Sequence, residues 1–167
     1  MIPETVIRTI YRKFAYVLVI LAAALTLFAA VRVGASDKPA ARKPLAEYVQ
    51  HIDKITAETS PWGSLRWLMN AKLDADSPLT VGIAEINPGQ SNPLHLHGNS
   101  DEVIYVLSGS CQQRVGDETV ILKAGDTLRI PAGVPHQAKA LGSGPLKSLV
   151  VYNTGNRQFT PVIEKAK

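Results

Sequence analysis

The segment that decides the fold is residues 93–109, which read PLHLHGNSDEVIYVLSG. His95 and His97 are separated by one residue, so in a strand both side chains leave the same face. Glu102 begins the next strand-like run, in which the even-numbered positions up to Ser108 share one face. The Gly-Asn-Ser stretch between the two runs can fold one strand back beside the other. We therefore expect two imidazoles and a carboxylate to converge at one end of a sheet.

Short strand-like runs separated by turn residues continue along most of the chain. Seven runs rich in branched and aromatic residues occupy 64–73, 79–86, 102–109, 111–115, 119–123, 126–133 and 149–155. Turn sequences such as NPG, VGDE, KAGD and LGSGP separate them. No helical pattern lies between these runs. The pattern predicts an all-β, antiparallel sandwich or barrel.

A second histidine-containing segment, GDTLRIPAGVPHQAKA, begins at Gly125. Gly125 and Gly133 favour turns, and Pro131 and Pro135 restrict the backbone around the loop. His136 opens the strand that follows and supplies a third imidazole. Taken alone, a histidine in this position is more often a half-buried structural residue than a metal ligand.

Together the two segments resemble the conserved motifs of the cupin superfamily. The first motif reads Gly, five residues, His-x-His, three or four residues, Glu, six residues, Gly, and its matches are Gly89, His95, His97, Glu102 and Gly109. The second reads Gly, five residues, Pro-x-Gly, two residues, His, and its matches are Gly125, Pro131, Gly133 and His136. Cupins often have Asn where this chain has Ala140, so one supporting contact is expected to differ. The resemblance implies an antiparallel jelly-roll β-barrel.

The resemblance also implies one divalent transition metal held by His95, His97, Glu102 and His136. Imidazole and carboxylate ligands suit Fe, Mn, Ni, Cu, Co or Zn and leave one or two positions for water or substrate. With one carboxylate the site keeps about one positive charge, which favours a small oxygen-rich anion. Similar cupins include dioxygenases and other metal-dependent enzymes, and also barrels that only bind or sense a small ligand. We expect an enzyme and keep the non-catalytic module as the alternative, with no catalytic residue assigned.

Gln113 is the candidate for substrate binding. It shares a strand face with Cys111 and Val115, so it enters the barrel if Cys111 does, and a buried amide needs hydrogen-bond partners. The alternative is a surface glutamine on a short hairpin. Cys111 is the single cysteine, which excludes an intramolecular disulfide, and we interpret it as a small buried apolar residue.

Residues 14–31, FAYVLVILAAALTLFAAV, form an uncharged apolar run with basic residues before it. This pattern predicts an N-terminal transmembrane or signal helix and an exported barrel, in the periplasm or outside the cell. The length of the run favours an inner-membrane anchor. The small residues Val33 and Ala35 keep the alternative of secretion after cleavage near Ala35.

Three segments follow from these patterns: an export segment at 1–35, a spacer with a lead-in at 36–60, and the barrel at 61–160. The apolar spacing in 45–55 fits either a short helix or a lead-in strand. The formal net charge is +4, but residues 36–167 are nearly balanced, so no nucleic-acid partner is predicted. The expected partners are a small molecule and, through the N-terminal helix, a membrane. A homodimer is kept open.

Overall fold

The computed structural model describes residues 43–164, in which eleven strands and two 3-10 turns make up the regular structure. The 3-10 turns are Leu45–Tyr48 and Ile52–Lys54. The strands are β1 Glu58–Ser60, β2 Gly63–Met69, β3 Thr80–Ile86, β4 His95–Leu96, β5 Glu102–Ser108, β6 Ser110–Val115, β7 Glu118–Lys123, β8 Thr127–Ile130, β9 His136–Leu141, β10 Leu146–Tyr152 and β11 Thr160–Pro161. All seven predicted runs contain a strand.

The strands form two antiparallel sheets with the orders β1-β2-β3-β10-β5-β8 and β11-β4-β9-β6-β7. Side chains from both sheets meet in a common apolar core that includes Ile86, Val106 and Leu146 from the first sheet and Cys111, Leu122 and Ala140 from the second. Residues alternate between buried and half-buried along the whole of β10, as expected for a strand with one face on a core. The predicted all-β, antiparallel jelly-roll architecture is confirmed.

Strand β5 tests the predicted alternation directly. The even-numbered residues Glu102, Ile104 and Val106 are buried, whereas the odd-numbered Val103, Tyr105 and Leu107 are exposed. The expectation is wrong for Ser108, which is exposed although its position is even. The pairing of β5 with β10 shifts register at this end of the strand, so the alternation that holds from Glu102 to Val106 does not extend to Ser108.

The glycines of the two motifs adopt the backbone conformation that their positions require. Gly89, Gly109 and Gly133 have φ angles of 73°, 78° and 77°, in the left-handed region that other residues avoid. At Gly109 space is limiting as well, because a Cβ atom would lie 2.6 Å from the carbonyl oxygen of Pro145. A tight turn at this point therefore needs glycine on two grounds.

The lead-in follows the helical alternative, but only as two single turns. Leu45–Tyr48 and Ile52–Lys54 are short 3-10 helices with no buried side chain, and neither forms a strand. Strand β1 lies just before residue 61 and pairs with β2. The predicted export segment 1–35 and the first part of the spacer lie outside the described residues. Residues 43–164 contain no helix with the length and hydrophobicity needed to span a membrane.

Candidate metal centre

Cross-strand pairs in the two sheets fix the positions of three candidate ligands. His95 on β4 is the register partner of His136 on β9, and Glu102 on β5 is the partner of Tyr152 on β10. His97 immediately follows β4. The four candidate ligands are all buried, and their ligand atoms lie within 4.8 Å of one another. The structure thus brings together all four residues that the sequence singled out as ligands.

Backbone carbonyls determine which nitrogen of each imidazole carries hydrogen. The Nδ1 atom lies 2.7 Å from the Pro93 oxygen in His95, 2.6 Å from the Gln158 oxygen in His97, and 2.8 Å from the Val134 oxygen in His136. Because a carbonyl oxygen can only accept, Nδ1 must be the donor in each ring. In the neutral imidazole the other nitrogen, Nε2, then presents a lone pair toward the centre of the cluster.

The carboxylate of Glu102 faces those nitrogens. Its Oε1 atom accepts a hydrogen bond of 2.9 Å from the Tyr152 hydroxyl, while Oε2 lies 2.9 Å from His136 Nε2 and 3.3 Å from His97 Nε2. Glu102 Oε2 and the Nε2 atoms of His136 and His97 are all buried. Within residues 43–164 none of these three atoms has a hydrogen bond of acceptable geometry. Several lone pairs at such distances repel one another unless a cation, or a proton on one ring, lies between them. The donor set and its geometry therefore suit a metal ion.

The pKa values of the cluster residues are shifted by burial and by neighbouring charges, which often act in opposite directions. Burial raises the pKa of Glu102, but the close contact and charge of His136 and His97 outweigh it and hold that pKa well below its usual range. Burial lowers the pKa of His136, but the close contact and negative charge of Glu102 outweigh it, so the net shift is upward. His95 is neutral near pH 7, because burial, together with His136, lowers its pKa to about 4. Glu102 and His136 thus each favour the charged form of the other.

The loop of the second motif supports the ligands from outside the cluster. The Gly133 N–H donates a hydrogen bond of 2.8 Å to the His97 carbonyl. Asp101, directly before Glu102, accepts a hydrogen bond of 2.9 Å from the Ala132 N–H and forms an ion pair with Arg129. The loop that leads into His136 is thereby tied to the backbone that carries the other ligands.

Comparison with known proteins agrees with this geometry. Residues 82–152 match the sequence model described as a cupin domain. An uncharacterized protein of Methanocaldococcus jannaschii is 30% identical over 114 residues, which cover 67% of this chain and 91% of that protein. The chain belongs to the cupin superfamily.

Solved cupin structures resemble the chain in fold. An oxalate decarboxylase from Lactobacillus farciminis, in a formate complex, matches with a TM-score of 0.63 at 21% identity, covering 72% of this chain and 41% of that one. The oxalate decarboxylase of Bacillus subtilis, studied at its Mn(II) centres, matches with a TM-score of 0.62 at 20% identity, covering 66% and 31%. This cupin spans less than half of each solved chain, and identities this low show the fold alone.

Gln113, the candidate for substrate binding, is buried on β6 of this cupin. Its side chain is 1% exposed, as its shared face with Cys111 predicted. It lines a cavity of about 260 Å³ to which none of the four candidate ligands contributes. Its Nε2 donates to the Arg114 oxygen at 3.2 Å, and its Oε1 has no hydrogen-bond partner within residues 43–164. A role in substrate binding remains a prediction.

Cys111 is 1% exposed and packs in the apolar core. Burial raises the pKa of its thiol to about 11, so the reactive thiolate is scarce at neutral pH. The interpretation of Cys111 as a small buried apolar residue is confirmed.

Sequence reasoning missed several residues around the cluster. Tyr152 orients Glu102, and the Phe159 ring stacks on His95 with 4.7 Å between centroids. The Arg157 guanidinium lies over Trp67 and close to His97. The alternation of β10 places Tyr152 on the inner face, which is a signal that sequence offers. Arg157 and Phe159 follow the last long strand in a segment with no periodic pattern, so no comparable signal exists for them.

Proposed function

We propose that this cupin binds one divalent transition metal through His95, His97, Glu102 and His136. The observation that carries the proposal is the donor set: a backbone carbonyl holds Nδ1 of each imidazole, which leaves Nε2 to ligate, and the four ligand atoms lie within 4.8 Å of one another. The Mn(II) centres of a solved relative support a metal in this fold. The structure leaves the identity of the ion open among Fe, Mn, Ni, Cu, Co and Zn.

We further propose a dioxygenase-like or other metal-dependent enzyme that acts on a small oxygen-rich anion. A bound ion of this class supplies Lewis-acid chemistry and, if it is redox-active, electron transfer. The protein contributes a single negative charge at Glu102, so the site keeps about one positive charge and attracts an anion. Tyr152 holds the carboxylate in place, and the buried histidines limit access of water to the site.

A non-catalytic module that binds or senses a small ligand is the second candidate. The cavity of about 200 Å³ that Arg157 and Trp67 line beside the cluster favours ligand capture whether or not turnover follows. The cupin fold alone does not choose between these roles.

Metal content and oxygen uptake test the proposal on the full chain. Wild type and His51→Ala are expected to hold about one ion per chain and His97→Ala far less, because His51 is exposed and distant in sequence from the cluster. Metal-dependent oxygen uptake with small carboxylate or enolate substrates supports the enzyme, whereas binding without turnover supports the module. Full metal content in His97→Ala would contradict the ligand assignment.

We also propose that the protein is exported and tethered to the inner membrane through residues 1–35, with the barrel in the periplasm or outside. The apolar run and its basic flank support this orientation. A reporter that works only outside the cytoplasm, fused after Lys167, is expected to be active. A cytoplasmic reporter that is active at the same position would overturn the proposal.

A homodimer is proposed as well. Its support is the set of exposed apolar side chains on the outer face of β5, which are Val103, Tyr105 and Leu107. Sedimentation of the full chain, compared with Leu107→Lys, tests whether this face is an interface. A wild-type chain that sediments as a monomer would contradict the proposal.

A further inference from the structure

Arg157 places a positive charge beside the cluster of candidate ligands and among three aromatic rings. The centre of its guanidinium lies 4.7 Å from the Trp67 ring, 5.2 Å from the Tyr152 ring and 5.6 Å from the Phe159 ring. Its Nη1 atom lies 3.4 Å from Nδ1 of His97. Stacking on aromatic faces orients the plane of the guanidinium and leaves its N–H edge available for hydrogen bonds.

That N–H edge lacks an acceptor. His97 Nδ1 already donates to the Gln158 carbonyl at 2.6 Å, so the contact with Arg157 brings two donors together and is not a hydrogen bond. Within residues 43–164, no carboxylate lies at ion-pair distance from Arg157 and no other hydrogen bond involves its side chain. A half-buried guanidinium is normally matched by an anion, and none of the described residues supplies one.

A cavity of about 200 Å³ lies at this side chain. Its lining includes the charged residues Arg157, Lys72 and Glu58, the amides of Asn70 and Asn156, and the Trp67 ring. Two positive charges against one negative charge give the cavity a net charge of about +1, which matches a singly charged head group. A water occupies about 30 Å³ in the liquid, so the space suits a ligand of only a few heavy atoms.

We propose that this cavity is an anion subsite and that Arg157 selects ligands that carry a small carboxylate. The planar fork of a guanidinium matches the two oxygens of a carboxylate, and Trp67 holds the fork in place. The inference rests on the proposed function in one respect: the anion that the subsite recognises is the one that the proposed metal centre attracts. Binding at Arg157 itself does not require the metal.

Calorimetric titration of the full chain, both metal-free and loaded with Mn(II), tests the subsite with malonate as the probe. Malonamide, which has the same shape without charge, and inorganic phosphate serve as comparison ligands. The variants are Arg157→Gln and Arg157→Lys, and the matched control is Arg66→Gln, an exposed arginine outside the cavity lining. Metal content and thermal unfolding are measured for each chain.

We expect malonate to bind both forms of the wild type and malonamide to bind neither. Arg157→Gln is expected to weaken malonate binding by about tenfold or more, because charge-assisted hydrogen bonds are lost. Arg157→Lys keeps the charge but loses the fork, so its affinity should be intermediate. Arg66→Gln should match the wild type, and metal content should not change in any variant.

Four results would overturn the subsite. The first three are absence of malonate binding by wild type, equal affinity in Arg157→Gln and Arg66→Gln, and tighter binding of phosphate than of malonate. Binding that disappears in the metal-free chain would place the anion at the metal and also overturn it. If the chain holds no metal, the proposed function fails, but titration of the metal-free form still decides the role of Arg157.

Discussion

At the scale of single residues, Tyr152 and Glu102 show how a ligand is held in position. The Tyr152 hydroxyl donates to one oxygen of the Glu102 carboxylate and so leaves the other oxygen facing His97 and His136. Burial, together with the Glu102 charge, raises the pKa of Tyr152 well above its ordinary value. The hydroxyl therefore remains a donor over the whole physiological pH range.

Replacing Tyr152 with Phe is expected to weaken metal binding without unfolding the barrel. Loss of a partner that orients a ligand typically costs 10- to 100-fold in metal affinity, so we expect a loss of about tenfold. Competition with a chromophoric chelator measures the affinity. Tyr105→Phe is the matched control, because Tyr105 is 40% exposed on the outer face of β5. Equal affinities in the two variants would contradict a positioning role for Tyr152.

Replacing Glu102 with Gln tests whether the carboxylate ligates or transfers protons. The change keeps the shape but removes the single negative charge, so the charge of an occupied site rises from about +1 to about +2 and metal affinity falls. Metal content after dialysis is the measurement, with Glu118→Gln as an exposed control. Full occupancy combined with lost turnover would instead make Glu102 an acid or base.

At the scale of elements, the site depends on the loop between β8 and β9. Gly133 has a φ of 77°, and its N–H holds the His97 carbonyl. A Cβ atom at Gly133 would meet nothing within 4 Å, so a substitution there introduces backbone strain without a clash. Gly142, between β9 and β10, has a φ of 79° and equally open surroundings. Comparing the same substitution at the two glycines therefore distinguishes the general cost of backbone strain from a specific effect on the site.

Gly133→Ala and Gly142→Ala are each expected to lower the free energy of unfolding by about 1–2 kcal/mol, the cost of the left-handed conformation for a residue with a Cβ atom. Only Gly133→Ala should also weaken metal binding, because its loop carries His136 and contacts His97. Urea denaturation of the metal-free chains gives the stabilities, and chelator competition gives the affinities. If Gly142→Ala weakened metal binding as much as Gly133→Ala does, a specific role for the second-motif loop would be refuted.

At the scale of the whole molecule, the cluster couples metal binding to protonation. In the metal-free protein Glu102 favours the protonated form of His136, whose pKa is raised, while His95 stays neutral until the pH approaches its pKa of about 4. A metal must displace the proton of His136, because a ligating imidazole cannot keep hydrogen on Nε2. Protons and metal thus compete for one buried space.

Metal affinity is therefore expected to fall as the pH falls through the raised pKa of His136. Below that pKa, each pH unit should lower the apparent affinity by about tenfold for the one proton displaced. His95 adds its own competing proton near pH 4, where it titrates. Glu102 stays ionised over this range, since its pKa is depressed. Chelator competition between pH 5 and pH 8 measures the dependence, and a flat profile would contradict the assignment of the proton to His136.

The sequence by itself determined the four candidate ligands and the strands that carry most of them. Side chains alternate with a period of two along a strand, so the buried face of β5 and the shared face of Gln113 and Cys111 can be deduced from local order alone. Resemblance to the second cupin motif identified His136 as the companion of His95, and the turns expected at Gly125 and Gly133 have positive φ angles of 93° and 77°. These are properties of short segments.

Only the tertiary structure decided which residues surround the ligands. Tyr152 meets Glu102, and Arg157 meets His97, across 50 and 60 residues of chain. Alternation shows which face a residue occupies but not which strand lies beside it, because strand neighbours are set by long-range pairing of the sheet. Likewise, the buried face of Gln113 could be deduced from its strand, but the cavity of about 260 Å³ that it lines could not.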